Sequence, residues 1–112
     1  MRLLLDTHVC LWFILNDQRL PNGARTMLRD RSNEVCLSVI SIWEACLKHQ
    51  IGKLPLPAEP SIFLPAQRVA HLINPLPLTE RTLLHLHTLP MTHKDPFDRM
   101  LMCQALRTNA NW

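Results

Sequence analysis

The stretch R-L-L-L-D-T-H-V-C-L-W-F-I-L, residues 2–15, decides the fold class. Residues 2–5 form an apolar run of strand length that ends at Asp6. Residues 7–15 then place Val9, Leu11, Trp12 and Leu15 on one helical face. A short buried strand that gives way to a helix at a carboxylate is the first half of an α/β unit.

The rest of the chain repeats that alternation. Residues 16–23 are turn-rich and residues 24–30 read as a short helix. E-V-C-L-S-V-I, residues 34–40, is β-branched and apolar and reads as a second strand. Ser41-Ile42-Trp43-Glu44 has capping-box spacing and opens a helix that runs through Lys48 and His49 to a stop at Gly52. K-L-P-L-P-A-E-P is a proline-rich loop, residues 61–71 a helix containing Pro65, and residues 72–78 a poor third strand interrupted by Pro75 and Pro77. Thr79-Glu80 opens another helix that ends near Pro90, and a last helix follows. With no repeat and no low-complexity segment, residues 1–112 read as one α/β domain with a parallel sheet.

Composition narrows the function classes. The 112 residues are 47% hydrophobic and 19% charged, which suits a globular domain needing neither disulfides nor a structural metal. Cys10, Cys36, Cys46 and Cys103 form no C-x-x-C pair and sit among apolar neighbours, as reduced thiols of a cytoplasmic protein do. No apolar run has the pattern of a signal peptide or a membrane span. Nine arginines and three lysines give a net charge of +3, a weak pointer to an anionic partner because they are scattered rather than striped.

A second stretch, H-K-D-P-F-D-R-M-L-M-C-Q-A at residues 93–105, poses the functional question. Capping accounts for part of it: Asp95 as N-cap, Pro96 at the first helical position, Asp98 at the positive end of the dipole. In parallel sheets, however, the ligand crevice lies beyond the carboxyl ends of the strands, where Asp6 and Glu44 fall. If Asp98 joins them, two like charges about 4 Å apart repel by roughly 4 kcal/mol at an effective dielectric near 20, whereas a cap contributes only about 1 kcal/mol. A hard cation with oxygen ligands and retained waters resolves that repulsion and brings water to a phosphodiester.

L-L-L-D-T-H, S-x-x-S-I-W-E-A-x-x-K and H-K-D-P-F-D-R-M-L-M-C-Q-A, with G-K-L-P-L-P and L-P-L-T between them, resemble the PIN-domain ribonucleases, in particular the VapC-like toxins of type II toxin–antitoxin pairs. The resemblance implies a three-layer α/β/α fold. It implies an endoribonuclease in which Asp6, Glu44 and Asp98 bind Mg²⁺ or Mn²⁺ and water is the nucleophile. It further implies an RNA substrate, an antitoxin partner, a homodimer and a cytoplasmic location without membrane contact. Asp95, Thr7 and Ser41 are then supporting residues, the last two as helix caps whose hydroxyls also orient water. Lys48, Lys53 and Arg99 are candidates for contact with the RNA backbone.

The remaining residues read more plainly. His8 sits on the first turn of a helix, with contact to substrate or to a water as the functional alternative. His85, His87 and His93 suit a solvated helix face, and Trp12, Trp43 and Phe97 suit the core. A phosphoacceptor receiver domain would need paired acids after the first strand, where only Asp6 stands. The family pattern continues beyond the last helix with a strand and a fourth acid, whereas this sequence runs A-L-R-T-N-A-N-W to Trp112. On that pattern the chain is C-terminally truncated and lacks the last strand, so residues 2–5 have an unpaired side unless a partner chain or another segment covers it, and self-association is expected. The alternative function is thus a weak or inactive relative that only binds an antitoxin or itself.

Overall fold

Each strand runs into a helix at a residue able to cap it. The computed structural model describes residues 1–90, 95–108, 110 and 111. In chain order the elements are β1 (Arg2–Leu4), α1 (Thr7–Ile14), α2 (Asn22–Arg29), β2 (Glu34–Ser38), α3 (Val39–Gln50), α4 (Pro60–Ala70), β3 (Asn74–Leu76), a 3-10 helix (Glu80–Thr88) and α5 (Pro96–Thr108). The strands form a parallel sheet in the order β1-β2-β3, with Leu3 opposite Val35 and Leu37 opposite Pro75. Pro75 is tolerated because β3 is a short strand paired with β2 on one side.

Period-two alternation separates the layers. Leu3, Leu5, Val35 and Leu37 turn to one face and pack with Cys10 and Phe13 of α1, with Ala24 and Leu28 of α2 against them. Leu4 and Cys36 turn to the other face and meet Leu101 of α5. A third cluster joins Leu11, Ala45 and Leu64 from α1, α3 and α4. The result is the expected α/β arrangement with helices on both faces of a parallel sheet.

Four expectations need correction. β2 ends at Ser38 rather than residue 40, because the Ser38 hydroxyl accepts from the Ile40 N–H and caps α3. Ser41 is therefore inside the helix, not its cap. Trp43 is 58% exposed, not core, because α3 buries the face that carries Ile40, Ser41, Glu44 and Ala45 and so turns Trp43 outward, where it meets Phe97 edge-on at 4.9 Å. Residues 80–88 wind as a 3-10 helix rather than an α-helix. Finally, the far side of β1 is not bare: Asn111 makes a parallel bridge to Leu3, accepting from Leu4 N–H at 2.6 Å and donating to the Arg2 carbonyl at 2.9 Å.

Candidate active site

Beyond the carboxyl end of β1, the Asp6 carboxylate accepts from the His8 N–H at 3.2 Å and thereby caps α1. The cap is Asp6, not Thr7, which leaves the Thr7 hydroxyl for another task. It donates to Glu44 Oε1 at 2.7 Å in a buried contact that spans from α1 to α3. Glu44 lies in the second turn of α3, is only 5% exposed, and takes Lys48 Nζ on its other oxygen at 2.8 Å. A buried carboxylate with both oxygens hydrogen-bonded has a fixed direction.

Asp98 reaches this region on the first turn of α5. Asp95 caps that helix, its Oδ1 accepting from Phe97 N–H at 2.9 Å and Asp98 N–H at 3.2 Å. Gln104, fully buried further along the helix, receives the Ser38 hydroxyl on its amide oxygen and donates to the Pro77 carbonyl at 3.3 Å. α5 is thus tied to the very end of β2. Burial pushes the Asp98 carboxyl above the usual carboxylate range, and the negative charges of Asp95, Asp6 and Glu44 push it further, with Lys48 opposing. The three acids named from the sequence therefore share one electrostatic environment.

Among the described residues, no three His, Cys, Asp or Glu side chains are gathered tightly enough to enclose a metal ion. The chemistry nonetheless fits a hydrated hard cation, because the donors are all oxygen and Mg²⁺ keeps several waters rather than requiring a closed protein cage. Ser41 adds to this. Three residues before Glu44 on the same helix, its hydroxyl is buried and has no hydrogen-bond partner among the described residues. An orphaned hydroxyl beside a carboxylate set is a ready partner for ordered water.

The other candidates disperse. Lys48 belongs to the acid cluster through Glu44, while Lys53 lines a separate cavity with His8. Arg99 donates to the Pro90 and Leu86 carbonyls at 3.0 and 3.2 Å, joining α5 to the 3-10 helix. His87 is exposed and His85 half-buried, and His93 lies outside the described residues. Gln104 was missed from sequence: a glutamine near a helix end carries no signal until its partner Ser38 is known to terminate a strand. Cys10, Cys36 and Cys103 are buried free thiols as expected, Cys46 is half-buried, and among the described residues no helix is long and apolar enough to cross a membrane.

No curated protein and no solved structure matches the chain. The family model described as PIN domain matches residues 3–112, a span that takes in Asp6, Glu44 and Asp98 and all of the sheet except Arg2. By that match the chain belongs to the PIN domain family.

Proposed function

We propose that the chain is a metal-dependent endoribonuclease of the VapC-like toxin kind, paired with an antitoxin protein and acting as a homodimer. Its family supplies the coarser part, since a PIN domain in general implies metal-dependent nuclease activity on RNA. The observation that supports the choice of acids is the buried Thr7–Glu44 hydrogen bond, which ties the helix after β1, capped by Asp6, to the helix after β2. The toxin, antitoxin and homodimer readings rest on the sequence motifs. Asp6, Glu44 and Asp98 are the residues that would hold Mg²⁺ or Mn²⁺, which when bound lowers the pKa of water and neutralises charge on a phosphodiester. Thr7 orients Glu44, Lys48 balances its charge, and Ser41 offers its hydroxyl to water. Asp95 acts through the helix it caps.

The test is cleavage of single-stranded RNA in Mg²⁺ or Mn²⁺, with Asp6→Asn, Glu44→Gln and Asp98→Asn each losing more than about 100-fold. That exceeds the range for residues that merely support a ligand. The same metals should raise the melting temperature, by mass action worth about 2.7 kcal/mol at a hundredfold excess over Kd. A second reading, a relative that only binds its partner, is favoured by one observation: both Glu44 oxygens are already engaged, by Thr7 and Lys48. A melt indifferent to millimolar metal together with no cleavage would select it.

A further inference from the structure

One cavity beside the acid cluster has no part in the chemistry above. It has a volume of about 260 Å³ and lies between α1 and the proline-rich loop after α3. Its rim carries His8, Arg19 and Lys53, and its apolar wall includes Leu11, Trp12 and Leu56. The Arg19 guanidinium lies 5.4 Å from the centre of the Trp12 ring. Asp17 grips that guanidinium through bonds of 2.7 to 3.2 Å, so a cation is held within cation–π range of an aromatic ring.

We propose that this cavity binds one base of the RNA strand next to the phosphate that is cut, and so sets sequence preference. The proposal rests on the ribonuclease reading above. Single-stranded RNA is read by splaying a base onto aromatic rings or arginine planes and bonding its edge, and Trp12, Arg19 and His8 supply those elements together. The His8 backbone N–H bonds the Asp6 carboxylate, so the cavity and the first of the acids meet at the N-terminus of α1.

Lys53 owes its place to the end of α3. Gly52 adopts φ +76°, its N–H bonds the His49 carbonyl at 3.1 Å, and the Lys53 N–H bonds the Lys48 carbonyl at 2.9 Å. This Schellman turn reverses the chain and puts an ammonium at the cavity rim. The His49 imidazole, 3.0 Å from the Leu54 carbonyl, fixes the loop just beyond it. A flat ring with polar edges suits such a pocket. A purely aliphatic side chain would instead desolvate Arg19, Lys53 and His8 without bonding them.

The experiment measures binding of fluorescein-labelled eight-nucleotide 2′-O-methyl oligomers of A, C, G and U to the full chain by anisotropy in EDTA, where neither metal nor cleavage enters. The wild type should prefer one base. Trp12→Leu should weaken that oligomer about 5- to 150-fold, the range of one lost base stack, and flatten the preference. Arg19→Gln, an exposed change that spares the core, should flatten it too. Lys53→Gln should weaken all four alike and reduce the salt slope by about one. Binding that is base-blind, or a preference untouched by Trp12→Leu and Arg19→Gln, overturns the proposal. Selective binding by a chain that cannot cleave would end the ribonuclease reading and leave this site standing, whereas cleavage with unselective binding would do the reverse.

Discussion

Glu34 begins β2 and Asp98 stands within electrostatic reach of Asp6 beyond the opposite end of the sheet, and the same functional group meets opposite surroundings. Arg2 holds the Glu34 carboxyl below its ordinary range through a 2.9 Å bond, helped by Asn74. Asp98 is pushed the other way by burial and by Asp95, Asp6 and Glu44. An acid that is matched by a cation serves the fold, while an acid crowded by others adds negative potential that the protein has not neutralised. The contrast teaches where to look for a cation: at the end of the sheet whose charges remain unbalanced.

Thr7→Val offers the strongest way to break this contrast. It removes the donor to Glu44 Oε1 and should lower metal-dependent RNA cleavage about 10- to 100-fold, with Thr7→Ser restoring most of it. Full activity in Thr7→Val would mean that Glu44 needs no orientation. Next in size, Asp95→Ala should lower stability by about 1 kcal/mol in urea unfolding, with the metal response intact. Loss of metal response there would move Asp95 from the helix to the site.

The smallest effects test the sign of the comparison. In metal-free buffer at pH 7, Asp98→Asn should raise the melting temperature, because a carboxyl whose folded pKa is raised opposes folding once ionised. That gain should vanish as pH falls below the ordinary 3.8, where the wild-type group is protonated in both states. Glu34→Gln should lower the melting temperature slightly. The lowered Glu34 pKa means its contribution is present above the ordinary 4.5 and fades as pH drops through the folded value. If both substitutions shift the melt in the same direction, the two ends of the sheet are alike and the argument from imbalance fails.

Much of this was legible in residues 2–15 and 34–50. Runs of strand length followed by helical periodicity announce α/β alternation, and the motifs single out Asp6, Glu44 and Asp98 as the candidate acids. The junction of β2 with α3 was misplaced because Ser38 and Ser41 both suit a cap, and Val39 and Ile40 have strand propensity although they form the first helical turn. Trp43 was assigned to the core by its residue type alone, whereas the buried face of α3 carries Ile40, Ser41, Glu44 and Ala45. The 3-10 winding of residues 80–88 and the Asn111 bridge depend on packing against α5 and β1, which local sequence does not encode. Thr7 was recognised as important but for the wrong bond, since the Asp6 side chain caps the helix instead.

The Gln104–Ser38 contact has a mechanical consequence. Asp98 lies six residues from Gln104, about 9 Å along the helix at 1.5 Å per residue. Apolar packing alone lets a helix creep along its neighbour, because one methyl contact replaces another at little loss. An amide pinned to a buried hydroxyl and to the Pro77 carbonyl offers no such graded slippage: the rod either stays in register or breaks a bond. With Arg99 fastening its lower half to the 3-10 helix, α5 acts as a gauge rod that transfers the position of the sheet to the carboxylate at its tip.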